Sequence, residues 1–282
     1  MEYKIKIPKI PNMGDLLNKD MLESVFNIKV HNVESKYDTN ISVIGSHLGT
    51  LLYSSGFRTQ LKQRIRKPFI AKDYYVWGTG FMNYNSRPDN SFLFRNVHIC
   101  SLRGKLTKER VEKILKTRLD VPLGDGGLLA DRWIGKSINK KYTIGIIPHY
   151  KEQDSQIINQ LKNHYSNSII INLRDKPMDV VRQIAECETI LSSSLHGLIV
   201  ADSFHIPNQH IMLYEYGERM KGDGFKFADY YSSYGLEDNP LRLYQHKDFP
   251  SIDEIVDNYL IGESDVEEKK NQISDAFPRF CR

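Results

Sequence analysis

Residues 189–203 read Thr-Ile-Leu-Ser-Ser-Ser-Leu-His-Gly-Leu-Ile-Val-Ala-Asp-Ser, and this stretch decides the fold class. Its apolar start predicts a short buried strand, and its continuation, Leu198 to Phe204, predicts a buried helix. A strand that leads through a tight turn into a helix is the unit of parallel α/β sheets. The free N–H groups at the start of such a helix favour a phosphate or a carboxylate. His196 lies in the turn, so the stretch fits either an anion site or a capped helix with a packed histidine.

The second half of the chain continues this alternation of strands and helices. Short apolar runs that stop at polar residues or proline predict strands, and apolar residues at helical spacing predict helices. The predicted strands are 142–147, 168–172, 189–191 and 208–213, and the predicted helices are 153–164, 177–187, 198–204 and 251–260. The charged run 263–270 is predicted to be a solvated helix.

The first half of the chain follows the same plan. Strands are predicted at 41–45, 74–78, 96–100 and 121–124, with a helix at 107–118. The basic, polar run 135–141 interrupts the alternation and is the predicted linker. Because 282 residues exceed the usual size of one hydrophobic core, two domains are expected.

The predicted fold class is α/β, with two Rossmann-like, doubly wound parallel-sheet domains that face a cleft. The first domain spans residues 1–136, and the second spans residues 137–282 and ends in a helical tail. Ligands of such sheets bind beyond the carboxyl ends of the strands. Two facing sheets therefore place the site in the cleft between them.

Composition narrows the function classes. The chain has 39 Lys and Arg against 35 Asp and Glu, a net charge of +4 that does not call for nucleic acid and suits an anionic substrate or membrane surface. Three widely spaced cysteines and scattered histidines form no metal-binding motif. Neither a signal peptide nor a membrane-spanning run is visible. We expect a cytoplasmic protein, with peripheral association at the inner membrane face as an alternative and homo-oligomers left open.

Three further motifs precede the Ser-Leu-His triplet at 194–196. Asn12-Met-Gly-Asp15 leads into a predicted helix, Ser101-Leu-Arg-Gly-Lys-Leu-Thr107 follows a predicted strand, and Leu123-Gly-Asp-Gly-Gly-Leu128 closes the first half. In this order and spacing, the motifs resemble those of the polysaccharide pyruvyl transferase family, from about residue 8 to 235. Each motif is weak alone, and the ordered set carries the resemblance.

This resemblance implies a GT-B-like fold and a specific reaction. The enzyme would move pyruvate from phosphoenolpyruvate onto two hydroxyls of a sugar, giving a cyclic ketal. The acceptor would be a lipid-linked or nucleotide-linked glycan of exopolysaccharide or cell-surface biosynthesis. The family's functional positions fall on Asp15, Arg103, Leu195 and His196 of this chain.

Each of these candidates has a functional and a structural interpretation. Asp15 fits either an N-cap or a base that accepts a sugar hydroxyl proton. Arg103 fits either a bidentate holder of phosphate or carboxylate or a structural salt bridge. His196 is predicted to be the acid or a phosphate contact.

The rest of the donor site is expected from the second half of the chain. The hydroxyls of Ser192, Ser193 and Ser194, the helix start at Leu195, and the cation Lys226 would form an anion cradle. Many relatives carry arginine where this chain has Ser194. Another cation, Lys226 or Arg174, would then supply that charge. His149 and Tyr150, which follow a predicted strand, are candidate acceptor contacts.

Two other function classes fit the same pattern. A GT-B nucleotide-sugar glycosyltransferase would use the same cleft, but the glutamate and basic residues that such enzymes use for ribose and diphosphate have no clear equivalent here. A catalytically inactive glycan-binding relative would keep the fold without turnover, and Ser194 leaves this class open. In the favoured class phosphoenolpyruvate is the donor substrate, and neither a cofactor nor a metal is expected.

Overall fold

The structure is a computed structural model that describes residues 2–7, 13–52, 61, 65, 73–84, 90–94, 96–135, 138–218, 222–245 and 248–279. Within these residues, all pairings between strands of two or more residues are parallel, and an isolated bridge between Leu52 and Phe92 is antiparallel. The predicted α/β class with parallel sheets is therefore confirmed. Asn12 of the first motif lies outside the described residues.

The first half forms two small sheets that lie side by side. Its elements are β1 Tyr3–Ile5, α1 Met13–Leu17, α2 Asp20–Phe26, β2 Val30–Asn32, β3 Ile41–Ser42, β4 Asp73–Val76, β5 Asn96–Ile99, α3 Lys105–Leu115 and α4 Ala130–Ile134, with 3-10 helices at Leu48–Leu51 and Gly126–Leu129. β1 pairs with β2, and β4 lies between β3 and β5. The N–H of Asn40 donates to the carbonyl of Lys4 at 3.1 Å, which places β1 beside β3.

The second half contains one five-stranded sheet. Its elements are β6 Tyr142–Ile147, α5 Gln156–His164, β7 Ser168–Ile170, α6 Pro177–Ala185, β8 Cys187–Ser192, α7 Leu195–Ser203, β9 Asn208–Met212, α8 Phe225–Ser232, β10 Leu241–Arg242, α9 Ile252–Asp257 and α10 Glu263–Asp275. The strand order is β10-β9-β8-β6-β7. Pro177 begins α6, where the missing N–H is tolerated, and a capping box of Ser251 and Glu254 begins α9.

The order of the strands reverses once in each half. From β1 the chain moves to β2 on one side and returns to β3 on the other, and from β6 it moves to β7 and returns to β8. Such reversals leave a crevice outside the carboxyl ends of the two strands that flank them. The segments after β1, β3, β6 and β8 are therefore the expected positions of a ligand site.

Helix α7 lies at the centre of the molecule. All of its residues except His196 are buried, as expected for a helix that is apolar on every face. A Cβ added at Gly127, in the 3-10 helix of the first half, would lie 3.0 Å from Ile199 of α7. The helix that begins at the Ser-Leu-His turn thus packs against both halves of the chain.

The C-terminal helix returns to the first half. The indole N–H of Trp77 donates to the carbonyl of Ile273 at 2.7 Å. The fully buried ammonium of Lys270 lies 3.0 Å from a carboxylate oxygen of Asp131. One hydrophobic core accordingly includes residues of both halves and of the tail. The domain boundary at 136/137 stays a prediction.

Most predicted elements are found, with several differences. The helix predicted at 263–270 is not simply solvated, because Val266 and Lys270 of α10 are buried. Helix α8 and strand β10 were not predicted. Helix α7 begins at Leu195, three residues before its predicted start. The predicted strand 121–124 is reduced to a single bridge between Leu102 and Leu123. Strands β1 and β2 were not predicted, because each has only three residues. Among the described residues, no helix is long and apolar enough to cross a bilayer.

Candidate active site

The turn between β8 and α7 is built by its own serines. The hydroxyl of Ser192 accepts the N–H of Ser194 at 3.0 Å. The hydroxyl of Ser193 donates to Oε2 of the buried Glu152 at 2.6 Å and accepts the N–H of His149 at 2.8 Å. Ser194 is the N-cap of α7, but its side chain makes no capping hydrogen bond. Two of the three predicted hydroxyls therefore shape the turn, and that of Ser194 leaves the first N–H groups of α7 uncapped.

The ring of His196, in the first turn of α7, lies against the start of α1. Its Nε2 is buried and has no hydrogen-bond partner among the described residues. A Cβ added at Gly14 would lie only 2.1 Å from its Nδ1, so the ring lies directly against the backbone of the first half. An unpartnered buried nitrogen is costly in a native protein and is commonly kept for a ligand or for catalysis.

Cationic side chains surround His196. Burial, together with the charges of Lys226 and Arg103, lowers its pKa to about 3. Burial also lowers the pKa of Lys226 to about 8, with Arg103 acting in the same direction and Glu152 against it. The pKa of His149 falls to about 3, chiefly by burial and next through Lys226. Positive side chains such as Lys226 and Arg103 near a helix N-terminus favour the binding of an anion.

Arg103 forms a buried ion pair with Asp229 of α8. Its Nε donates to Asp229 Oδ2 at 2.8 Å, Nη1 to the hydroxyl of Ser46 at 2.7 Å, and Nη2 to the carbonyl of Phe81 at 2.6 Å. Asp229 also accepts the backbone N–H and the hydroxyl of Thr107, each at 2.7 Å. The structural interpretation of Arg103, a salt bridge, is thus confirmed. Each terminal nitrogen keeps one further N–H, so a second role toward an anion stays a prediction.

A cavity of about 310 Å³ opens in the first half, at the carboxyl ends of β1 and β3. Asp15 and His47 line it, together with the lysines Lys6 and Lys36. Burial lowers the pKa of His47, while Asp15 raises it and Arg103 lowers it. The cavity and His196 lie on either side of neighbouring residues of α1, because Asp15 lines the cavity and Gly14 lies against the ring of His196.

Asp125 of the third motif has a structural role. Its Oδ1 accepts the N–H of Gly127 at 2.9 Å and caps the 3-10 helix that packs on α7. Burial raises its pKa to about 7, although this hydrogen bond and Arg103 lower it. Its Oδ2 has no partner among the described residues. The motif thus holds the two halves together beneath the site.

The structure brings most predicted site residues to one place. His196, Lys226 and Arg103 act on one another electrostatically, and Asp15 lies beside the Gly14–His196 contact. Arg174 is exposed, and its guanidinium carbon lies 5.5 Å from the ring centre of Tyr150. Lys226 is therefore better placed than Arg174 to supply the charge absent at Ser194. In the part of the chain that the structure describes, no group of three or more His, Cys, Asp or Glu residues could hold a metal ion.

Two residues of this region, His47 and Glu152, were not predicted from the sequence, and neither was the pairing of Asp229 with Arg103. His47 and Glu152 each follow a predicted strand by a few residues, so a search of every strand end would have found them. The pairing of Asp229 with Arg103 joins residues 126 positions apart and had no local signal. His149 lies beside Ser193 and Lys226, on the side of the predicted donor residues.

Comparison with known proteins identifies the family. Residues 3–211, which carry every motif described above, match the family of polysaccharide pyruvyl transferases. The chain belongs to the polysaccharide pyruvyl transferase family. Lys226 and Asp229 lie beyond the matched residues, on helix α8.

Two relatives of this pyruvyl transferase chain illustrate the range of the family. The uncharacterized protein L143 of Acanthamoeba polyphaga mimivirus is 28% identical over 281 residues, which cover 93% of this chain and 88% of that protein. The succinoglycan biosynthesis protein ExoV of Rhizobium meliloti (strain 1021) is 26% identical over 168 residues. That match covers 60% of this chain and 50% of ExoV. The second relative is named for succinoglycan biosynthesis.

Proposed function

We propose that this transferase moves pyruvate from phosphoenolpyruvate onto two hydroxyls of a sugar as a cyclic ketal, in the biosynthesis of an exopolysaccharide or cell-surface glycan. The observation that carries the proposal is the unpartnered His196, set among cations and against the start of α1, which bears Asp15. An anionic donor and a neutral, hydroxyl-bearing acceptor need these two environments side by side. Family membership and the ExoV relative support the same reaction.

The donor would bind at the N-terminus of α7. Its phosphate and carboxylate would face the first N–H groups of that helix, the ammonium of Lys226, and the remaining N–H groups of Arg103. Lys226 comes from α8, which the Arg103–Asp229 ion pair fixes to the first half. Charge-assisted hydrogen bonds of this kind are about twice as strong as neutral ones and also fix orientation.

Acid and base would come from opposite sides of the reacting carbon. In the free protein His196 is neutral, because its pKa is about 3. The negative charges of phosphoenolpyruvate favour the imidazolium, which can then protonate the methylene carbon of the donor. Asp15 would accept the proton of the attacking sugar hydroxyl. A weakly basic imidazole is a strong acid once it is protonated, which suits this difficult carbon protonation.

The proposal also covers the roles of the two sheets and the place in the cell where the acceptor is met. The two sheets would form a GT-B-like pair, with the first half on the acceptor side and the second on the donor side. The switch points at β1/β3 and β6/β8 support this assignment, because Asp15 and His196 lie at them. The acceptor would be a lipid-linked or nucleotide-linked glycan in the cytoplasm, reached in the lipid-linked case at the inner membrane face.

A phosphate-release assay tests the function. Purified protein is incubated with phosphoenolpyruvate and a panel of lipid-linked and nucleotide-linked sugars, and both free phosphate and the ketal are quantified. We expect phosphate release that depends on the acceptor and equals the ketal formed. Release of nucleotide from a sugar nucleotide without phosphoenolpyruvate would instead indicate a glycosyltransferase. Calorimetric binding of phosphoenolpyruvate without turnover on any acceptor would indicate the inactive class.

Binding of phosphoenolpyruvate is expected to take up protons at pH 8. Lys226 has a pKa of about 8, so it is about half protonated there, whereas the donor phosphate is fully ionised. An anion raises that pKa, so Lys226 takes up roughly half a proton on binding, and affinity falls as the pH rises through 8. Calorimetry in two buffers of different ionisation enthalpy measures the uptake.

Two lysine variants test whether Lys226 takes up this proton. Lys226→Met should lower the uptake by roughly half a proton and weaken binding by about 10- to 100-fold, the equivalent of one charge-assisted hydrogen bond. Lys269→Met should leave both unchanged, although burial also lowers the pKa of Lys269, because that lysine lies on α10 near Tyr234. Equal binding enthalpies in the two buffers for the unsubstituted protein would contradict this role of Lys226.

Gly14→Ala is expected to lower kcat by about 100-fold, since displacement of a catalytic group by 1 Å can cost that much. The new methyl group would lie 2.1 Å from Nδ1 of His196, so the ring must move. Gly49→Ala is the matched control, because a Cβ there meets no atom within 4 Å. Steady-state ketal formation measures both variants. A folded Gly14→Ala protein with unchanged kcat would show that this position of the ring is not needed.

A further inference from the structure

His47 occupies the carboxyl end of β3, opposite the predicted donor residues. Its carbonyl accepts the N–H of Thr50 at 2.9 Å, and the next N–H, of Leu48, donates to the carbonyl of Gly80 at 3.2 Å. These bonds fix the backbone at the entrance of the 3-10 helix. The half-buried imidazole lines the same cavity as Asp15.

The imidazole of His47 is suited to accept a proton. Burial lowers its pKa below the usual value and Arg103 adds to the effect, so the ring is neutral at neutral pH. Asp15 acts in the opposite direction, because its carboxylate stabilises the imidazolium. His47 also lowers the pKa of His196, so the two rings are within electrostatic range. A neutral imidazole beside a carboxylate is the usual arrangement of a general base.

Ketal formation removes one proton from each of two hydroxyls. The proposed mechanism above assigns Asp15 as the base for the first hydroxyl and leaves the second hydroxyl without an assigned base. We propose that His47 is a further catalytic residue, which accepts the proton of the second sugar hydroxyl. This inference rests on the proposed function and assigns the acceptor-side chemistry to the pair of Asp15 and His47.

The two steps balance as follows. First, the methylene carbon of phosphoenolpyruvate takes a proton from His196, while the central carbon bonds to the first hydroxyl oxygen, whose proton goes to Asp15. Second, the bond between the central carbon and the phosphate oxygen breaks, and phosphate leaves with the electron pair. The second hydroxyl oxygen bonds to the central carbon, and its proton goes to His47. Of the two protons released, one restores the imidazolium of His196 and the other leaves with hydrogen phosphate, so all three side chains return to their starting states.

The activity test compares His47→Ala with His98→Ala. We expect His47→Ala to lower kcat by about 100-fold, the usual contribution of a general base, while the KM for phosphoenolpyruvate stays within about threefold. Imidazole added to the buffer should raise the kcat of His47→Ala by at least about tenfold, because the truncation leaves space beside the cavity. His98 lies on β5 and pairs with Asp73 at 3.0 Å, so its loss should change neither constant.

A second measurement does not depend on activity. Nuclear magnetic resonance of the histidine side chains should show that Asp15→Asn lowers the pKa of His47 further, since the lost carboxylate was raising it. Normal kcat in His47→Ala, no response to imidazole, or no change of the pKa in Asp15→Asn would each overturn the role of His47. Failure of the unsubstituted protein to form any ketal would overturn the proposed function instead, before any variant is compared.

Discussion

His196→Ala is expected to abolish ketal formation, with kcat lowered by about 1,000-fold, within the range that general acid catalysis supplies. The physical reason is that no other group of the described residues places an unpartnered nitrogen at this point between the halves. The fold should remain intact, since the buried Nε2 makes no hydrogen bond that the alanine would lose. Stopped assays of the ketal, together with circular dichroism of the variant, measure the two effects.

The control for this variant is a histidine of the same fold without a role in the site. His98→Ala should keep kcat within about twofold, because its side chain is 47% exposed and its pair with Asp73 lies at the surface. Binding of phosphoenolpyruvate to His196→Ala should persist, because Lys226 and the α7 N-terminus remain. A folded His196→Ala protein that keeps most of its turnover would disprove the assignment of His196.

Asp229→Ala is expected to destabilise the protein by about 3–5 kcal/mol, because it leaves the Arg103 guanidinium buried without its carboxylate. Both side chains are fully buried, and Asp229 also accepts two hydrogen bonds from Thr107 at the start of α3. The change would loosen α8 from the first half and with it Lys226. Chemical denaturation gives the free energy of unfolding. Asp73→Ala, which breaks an exposed pair, should cost less than about 1 kcal/mol.

A double variant separates the structural role of Arg103 from its predicted role toward the donor. Arg103→Met with Asp229→Asn removes both buried charges and should recover part of the stability, while the asparagine oxygen can still accept the N–H of Thr107. Activity should stay low, because one holder of the donor anion is gone. Recovery of both stability and kcat/KM would show that Arg103 serves the fold alone.

The sequence predicted the sheets better than it predicted the site. Strands such as Tyr142–Ile147 are continuous apolar runs buried in the middle of a sheet, so periodicity and composition identify them. Strand β1, by contrast, has three residues and takes its place only by pairing with β2, which lies 27 residues further along the chain. No local pattern contains that information.

Local motifs predicted the helix starts of the candidate site, but not the contacts between its residues. The turn at Ser192–His196 and the glycine before Asp15 mark helix starts, and both are where the resemblance placed them. The contact between Gly14 and His196 and the pair of Arg103 and Asp229 depend on how the two halves pack. The same holds for the shifted pKa of His196, since burial and the charges of distant residues produce it. Such features follow only from tertiary structure.

The most direct test of the central claim follows the bridging oxygen of phosphoenolpyruvate. The donor is labelled with ¹⁸O between the central carbon and phosphorus and incubated with the protein and an acceptor glycan, and both products are analysed by mass spectrometry. Pyruvyl transfer breaks the carbon–oxygen bond, so we expect the label in phosphate and an acceptor heavier by one pyruvic acid less one water. A label that stays with free pyruvate, or an acceptor that gains phosphate, would contradict the account.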